Sequence, residues 1–236
     1  MMSWKPVEEE FEGARERCFE LLVEGRPVPG VYWKPKSDSE RLVLLGHGGM
    51  GHKKVDYMLA MAKMFIDKGF SVMAIDGPSH GDREGINLTD NPERFEEAWI
   101  EGGGTHGVVK DWSAALDFVE QEEGARPTGW WGLSMGTMMG LPVAASDPRI
   151  KVALLGLMGS WGPDADLLVE MAPQVSCPVR FLVQWDDEVV PRNACLELYD
   201  KLGSKKKTLH ANPGPHSSVP QFESVASVDY LDRFVV

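Results

Sequence analysis

The chain is poor in cysteine and in positive charge, and it has no long apolar run. Its three cysteines, Cys18, Cys177 and Cys195, show no paired spacing, which argues against a disulfide framework or a cysteine-based zinc site. No stretch approaches the ~20 apolar residues of a membrane-spanning helix, and the first residues lack the apolar core of a signal peptide. These absences predict a cytoplasmic protein that does not associate with membranes.

Charge and length narrow the class further. Asp and Glu number 36 against 24 Lys and Arg, a formal net charge of −12, which argues against a nucleic-acid-binding surface. Hydrophobic residues make up 43% of the 236 positions and no internal repeat is visible, so the sequence predicts one globular domain over residues 1–236. Nothing in the sequence indicates an oligomeric state.

Apolar strands and helical periodicity alternate from Leu42 to the C-terminus. This alternation predicts an α/β fold, a mostly parallel sheet flanked by helices whose sites lie at the carboxyl ends of the strands. Before it, the apolar runs 18–23 and 28–33 flank a turn and predict an antiparallel N-terminal hairpin.

Two connections bear on how open such a site would be. Residues 82–107 lose the periodicity and are expected to form an insertion over the strand ends, with a short helix. Only about two dozen residues separate the predicted strands 152–157 and 179–183, an ordinary connection plus one helix. No large lid domain is therefore expected.

The segment 128–139 carries the strongest chemical signal. A short apolar strand runs into Gly132-Leu-Ser134-Met-Gly136, a GxSxG pattern, and then into an apolar helix. On so tight a strand-to-helix turn only glycines fit on either side of the serine, which then stands exposed at the helix N-terminus. The pattern predicts that Ser134 is a nucleophile.

A serine hydroxyl needs a base, and the base needs an orienting acid. Asp186 and Asp187 follow the predicted strand 179–183, and the spacing to Val190-Pro191 favours Asp187. His216 lies in the turn-rich loop before the last helix. The order serine, acid, histidine is the one expected when a GxSxG turn carries the nucleophile.

Two backbone donors are also needed to bind the oxyanion of an acyl-transfer intermediate. Met135 directly follows the nucleophile, and Gly49 lies in a glycine-rich turn after the first parallel strand, so both are candidates. His47 and His80 are expected to be structural residues of the neighbouring turns.

Each signal alone also fits a structural residue. Ser134 could be a helix N-cap, the two aspartates could cap the following helix, and a loop histidine is often solvated. The three residue types in the expected order favour a catalytic role over these structural ones.

Together, these motifs resemble the α/β hydrolase superfamily, and most of all its small serine esterases and dienelactone-hydrolase-like proteins. The resemblance runs from about Arg41 to the C-terminus. It implies Ser134 as nucleophile, Asp187 as acid, His216 as base, Gly49 and Met135 as oxyanion donors, and neither metal nor organic cofactor. Dienelactone hydrolases use a cysteine nucleophile, whereas this chain has serine, and Gln184 stands where the family often has glycine.

The function predicted from these residues is hydrolysis of short-chain carboxylic esters through an acyl-enzyme. A serine peptidase, thioesterase or acyltransferase with the same residues, or a non-catalytic binding protein on the same scaffold, are the alternatives. Four large side chains expected in loops near strand ends are candidates for lining an acyl pocket, although ordinary packing is an equal explanation: Trp99, Met158, Trp161 and Trp185.

Overall fold

A nine-stranded sheet forms the centre of the computed structural model, which describes residues 2–37, 39–83 and 85–236. The strands lie side by side in the order β1-β2-β3-β5-β4-β6-β7-β8-β9. Their bounds are β1 Met2–Phe11, β2 Ala14–Val23, β3 Arg26–Pro35, β4 Leu42–Gly46, β5 Ser71–Ile75, β6 Thr128–Gly132, β7 Ile150–Gly156, β8 Val179–Gln184 and β9 Lys207–Asn212.

The sheet is mixed in the way the sequence predicts. Strands β1, β2 and β3 pair antiparallel, and β3 joins β5 antiparallel, whereas all pairs from β5 to β9 are parallel. Every residue of β4, β5 and β6 is buried, which explains their continuous apolar runs. The chain turns from β4 to β5 on one side and later to β6 on the other, so the strand order reverses between β4 and β6. Ligands of such sheets bind at this switch point.

Helices cover both faces of the sheet. One core cluster packs α3, α4, α5 and α6 on one face, and a second packs α1 and α7 on the other. The bounds are α1 Asp56–Asp67, α2 Phe95–Glu101, α3 Gly104–Glu123, α4 Met135–Ser146, α5 Ala165–Met171, α6 Arg192–Lys201 and α7 Gln221–Phe234, with short 3₁₀ turns at Pro92–Arg94 and Ala172–Gln174.

Strand β1 is not predicted by the sequence pattern. The predicted hairpin is confirmed as β2 and β3, but β1 pairs with β2 outside it, at the edge of the sheet. Residues 8–10 of β1 are three exposed glutamates, so the apolar alternation of a half-buried strand is absent. An edge strand with such exposed side chains leaves little trace in the apolar pattern.

The long helix between β5 and β6, α3, begins earlier in the chain than the apolar periodicity predicts. Helix α3 begins at Gly104, although apolar spacing becomes helical only from Val108. The Asp164 carboxylate, from the loop after β7, accepts the Thr105 N–H at 2.8 Å. This side chain satisfies an amide of the first helical turn from a distant part of the chain, which a local pattern cannot reveal.

The connection from β7 to β8 contains only α5 and one 3₁₀ turn, close to the ordinary connection plus one helix that the sequence predicts. Within the described ranges, no helix combines the length and apolarity that crossing a membrane requires.

Candidate active site

Ser134 occupies a strained turn between β6 and α4. Its backbone has φ 58° and ψ −122°, a conformation that costs a non-glycine residue on the order of 1–3 kcal/mol. The flanking glycines are required for steric reasons. A Cβ at Gly132 would lie 2.8 Å from the Gly136 carbonyl oxygen, and one at Gly136 would lie 2.4 Å from the Gly46 carbonyl oxygen. The turn therefore holds the serine above the carboxyl end of the sheet.

The structure brings Ser134, His216 and Asp187 into one hydrogen-bonded row. His216 Nε2 lies 2.9 Å from Ser134 Oγ, and His216 Nδ1 lies 2.7 Å from Asp187 Oδ2. A carboxylate only accepts, so Nδ1 carries the proton and Nε2 is free to accept the serine hydroxyl. This is the arrangement in which an imidazole can take the proton of a serine nucleophile.

The geometry also distinguishes the two aspartates. The Asp187 side chain is only 1% exposed, and its Oδ1 accepts the N–H groups of Val189 and Val190, both at 2.8 Å. Asp186 is exposed and instead accepts the Gly214 N–H at 3.0 Å. Backbone amides fix the Asp187 carboxylate against the imidazole, whereas Asp186 supports the loop.

Two backbone N–H groups beside the serine have no hydrogen-bond acceptor among the described residues. Met135 is the first residue of α4, where an N–H has no partner within its own helix. Along the described chain, the N–H groups of Gly49 and Met135 have no acceptor.

The other amides of the Gly49 turn are occupied. Gly48 N–H donates to the Tyr57 hydroxyl at 2.7 Å, and Gly51 N–H donates to the Gly48 carbonyl at 3.2 Å. The Met50 N–H donates to a histidine ring at 3.1 Å. Gly49 is thus the amide in this turn that remains available to a developing oxyanion.

A solved esterase shares this architecture over its whole length. A cold-adapted esterase from an Arctic intertidal metagenomic library, solved with bound polyethylene glycol, is 58% identical, with 99% of this chain and 100% of that chain covered and a TM-score of 0.93. The chain belongs to the esterases of the α/β hydrolase superfamily.

Two more distant proteins are also similar to this chain. The "Putative hydrolase YtaP" of Bacillus subtilis (strain 168) is 36% identical over 164 residues, which are 63% of this chain and 54% of that protein. The match thus spans about half the length of this curated relative. The acetyl xylan esterase of Paenibacillus sp. R4 shares only the fold, with 19% identity over 99% of this chain and 88% of that chain and a TM-score of 0.77. No protein-family model matches the chain.

Two buried histidines lie in the turns after β4 and β5, next to Gly49. These two turns are called the oxyanion side of the site. His47 Nδ1 lies 2.8 Å from the Gly48 carbonyl, and its Nε2 accepts the Gly77 N–H at 2.9 Å. His80 repeats the pattern: Nδ1 lies 2.7 Å from the Pro78 carbonyl, and Nε2 accepts the Met50 N–H at 3.1 Å. Both rings are therefore neutral Nδ1–H tautomers that cross-link the turns after β4 and β5. They occupy the structural positions that the sequence predicts.

Burial accounts for the protonation state of both rings. Desolvation, with the neighbouring His80 adding to it, lowers the pKa of His47 to about 4. Desolvation also lowers the pKa of His80. At neutral pH both nitrogens of each ring are therefore available for these hydrogen bonds.

A buried ion pair, missed in the sequence analysis, supports the same turns. Asp76, fully buried at the end of β5, accepts Lys53 Nζ at 2.5 Å and the Lys53 N–H at 2.8 Å. Lys53 Nζ also contacts Asp82 at 2.7 Å. Although burial disfavours the ammonium, the two carboxylates raise the pKa of Lys53.

The loops after β8 and β9 form the opposite side of the site. Gln184, 1% exposed, donates from Nε2 to the carbonyls of Pro213, Pro215 and Ser218 at 3.4, 3.2 and 3.1 Å. The exposed Glu188 carboxylate accepts the His216 N–H at 2.9 Å. The departure from the family's usual glycine at 184 thus connects the acid loop with the histidine loop.

The predicted pocket residues have different environments. Trp99 does not lie in a loop: it is in α2, 1% exposed, with its Nε1 donating to Asp164 at 2.8 Å. Met158 is buried, Trp161 is 50% exposed, and the half-exposed Trp185 lies under the Arg192 guanidinium at 4.1 Å. Their role in an acyl pocket stays a prediction. Among the described residues, no group of three or more His, Cys, Asp or Glu side chains is arranged to hold a metal ion.

Proposed function

We propose that the protein is a serine carboxylesterase that cleaves short-chain esters through an acyl-enzyme on Ser134. The observation that carries this proposal is the continuous row from Asp187 through His216 to Ser134 Oγ, at 2.7 and 2.9 Å. The row lies beside two unoccupied backbone amides. Nucleophile, base, orienting acid and oxyanion donors are thereby all available in the resting protein.

Acylation follows from this geometry. His216 Nε2 removes the hydroxyl proton as Ser134 Oγ attacks the ester carbonyl carbon. The carbonyl oxygen becomes an oxyanion and accepts the N–H groups of Gly49 and Met135; one such donor is worth about 2.7–4 kcal/mol of transition-state stabilisation. The imidazolium then donates its proton to the departing alcohol oxygen, which leaves an acyl ester on the serine.

Deacylation repeats these steps with water. His216 removes a proton from a water molecule that attacks the acyl carbonyl, and the protonated imidazole returns the proton to Ser134 Oγ as the acid leaves. Asp187 stays ionised and stabilises the imidazolium through Nδ1. Its two backbone hydrogen bonds, at 2.8 Å each, keep the carboxylate in place during both half-reactions.

The short connection between β7 and β8 supports small, water-soluble substrates. Among the described residues, this connection holds only one short helix and one 3₁₀ turn, too little to enclose a long acyl chain. The substrate proposed is therefore a small-molecule ester with a short acyl group, and long-chain lipids are expected to be poor substrates.

The cellular location proposed is the cytoplasm. All three cysteines are free thiols in the structure, as is usual in a reducing compartment. Fractionation of the native host, with immunodetection of the protein, would test this location.

Substitution of Ser134 by alanine tests the function. Hydrolysis of p-nitrophenyl acetate should fall by at least about 10⁴-fold, because loss of a triad nucleophile removes the covalent route. The thermal unfolding midpoint should not decrease, since alanine removes only a hydroxyl from a partly buried side chain. A variant that retains a tenth of the activity would refute the assignment. Parallel assays with a thioester and an anilide of the same acid would identify thioesterase or peptidase activity if the ester is the poorer substrate.

A further inference from the structure

Helix α2 bridges the turns after β4 and β5. Its Ala98 and Trp99 are buried, and Trp99 is tied to Asp164 by the 2.8 Å hydrogen bond. At its C-terminal end the backbone is so close to the β5 turn that a Cβ on Gly102 would lie 2.3 Å from Pro78 Cβ. These contacts fix the helix over the carboxyl edge of the sheet.

The first residue of α2, Phe95, reaches the oxyanion turn. It is three and four residues before Ala98 and Trp99, so it shares their inward face. Its Cε2 lies 3.6 Å from the position of a Cβ on Gly49, and its ring meets the His80 ring edge-on, with centroids 6.1 Å apart. An amide nitrogen lies about 2.5 Å from its own Cβ position. The phenyl ring is therefore within about 6 Å of the Gly49 nitrogen.

The direction of the acyl chain follows from the proton transfers. The leaving alcohol must receive its proton from His216 Nε2, so it faces the loops after β8 and β9. The acyl chain then extends to the other side of Ser134. In the sheet order, that side holds β4 and β5. The turn after β4 carries Gly49, the turn after β5 carries His80, and Phe95 contacts both turns.

We infer that Phe95 is a specificity-determining residue whose ring closes the acyl side of the site and limits the acyl chain to a few carbons. The inference rests on the proposed esterase function. It assigns the limit to a side chain outside the four aromatic and methionine residues that the sequence suggested.

Phe95→Ala and Phe95→Trp test the inference in opposite directions. The measurement is kcat/KM for p-nitrophenyl acetate, butyrate, hexanoate and octanoate. Phe95→Ala should raise the hexanoate-to-acetate ratio about tenfold, since one or two methylenes in an apolar pocket are worth at least that factor. Phe95→Trp should lower the butyrate-to-acetate ratio by about threefold or more.

Ile100→Ala is the matched control, because Ile100 lies on the same helix and is 60% exposed. It should leave every ratio unchanged. If Phe95→Ala does not fold, Phe95→Leu keeps an apolar side chain on the inward face of α2 and should give a smaller rise in the same direction.

Unchanged ratios in folded Phe95 variants would overturn the inference. A second series of alkyl acetates keeps the acetyl group and varies the alcohol, and a change in kcat/KM that is confined to this series would also overturn it. Either result leaves the proposed function intact, because the wild type still hydrolyses acetate. Absence of ester turnover in the wild type itself would instead refute the proposed function.

Discussion

The two sides of the site are held in different ways. On the oxyanion side, buried groups cross-link the turns after β4 and β5: His47, His80 and the Lys53–Asp76 pair. On the acid and histidine side, Asp186 and Glu188 are exposed, and the buried polar side chains that connect the two loops are Gln184 and Asp187. Disrupting a buried ion pair or a buried neutral imidazole costs more folding free energy than breaking a hydrogen bond at the surface. The oxyanion side should therefore control stability, and the other side should control turnover.

The largest effect is expected from Asp76→Asn. The substitution leaves the buried Lys53 ammonium with Asp82 alone, and breaking one partner of a buried pair costs about 4 kcal/mol. Urea denaturation at pH 7 would measure this loss in the free energy of unfolding.

The exposed pair of Lys68 with Asp229, at 2.9 Å, provides the control. Asp229→Asn should leave stability unchanged within error. Equal losses of unfolding free energy in the two variants would show that the buried Lys53–Asp76 pair stabilises the protein no more than a surface pair does.

A pH effect of the next size is expected from His47. Its pKa is lowered from 6.5 to about 4 in the folded protein, so the unfolded chain binds the proton first as pH falls. The stabilisation is fully present above pH 6.5 and is lost progressively towards pH 4, by about 2 kcal/mol between pH 6.5 and pH 5. Protonation would also direct Nε2–H at the Gly77 N–H.

Urea denaturation across this range, with wild type and His47→Gln, measures the effect. The variant cannot be protonated at this position, so its stability should depend less on pH. Parallel curves for the two proteins would contradict the role assigned to His47.

A smaller effect, on turnover, is expected from Gln184→Met. Methionine keeps the length and volume but removes the donor to the three carbonyls of the histidine loop. We expect kcat to fall about tenfold with KM nearly unchanged, because a loosened imidazole loses about 1.4 kcal/mol of transition-state stabilisation.

Glu188→Ala removes an exposed contact to the same loop and should reduce kcat less, since water can replace the carboxylate. Gln184→Asn, which retains a donor, should restore part of the rate. A rise in KM with kcat unchanged would argue that Gln184 affects substrate binding and not the position of the imidazole.

The sequence predicts what is encoded locally. Gly132, Ser134 and Gly136 are near neighbours, and their steric roles follow from the turn itself. The alternation of strands and helices predicts the parallel sheet, and with it the edge at which Asp187 and His216 lie.

What the sequence does not reveal depends on contacts between distant segments. Asp164 caps α3 across 59 residues, and Lys53 pairs with Asp76 across 23. Phe95 and Trp99 have helical spacing, but the hydrogen-bond partner of Trp99 is Asp164, 65 residues away. In each case, tertiary packing supplies the partner, so no spacing rule can find it.

The most direct test of the central claim is labelling with a fluorophosphonate, followed by peptide mass spectrometry. A phosphonyl group reacts only with a serine that an adjacent base activates and whose oxyanion is stabilised. The account predicts one adduct, on Ser134, and none in Ser134→Ala. Ester hydrolysis without an adduct on Ser134, or with the adduct on another residue, would contradict it.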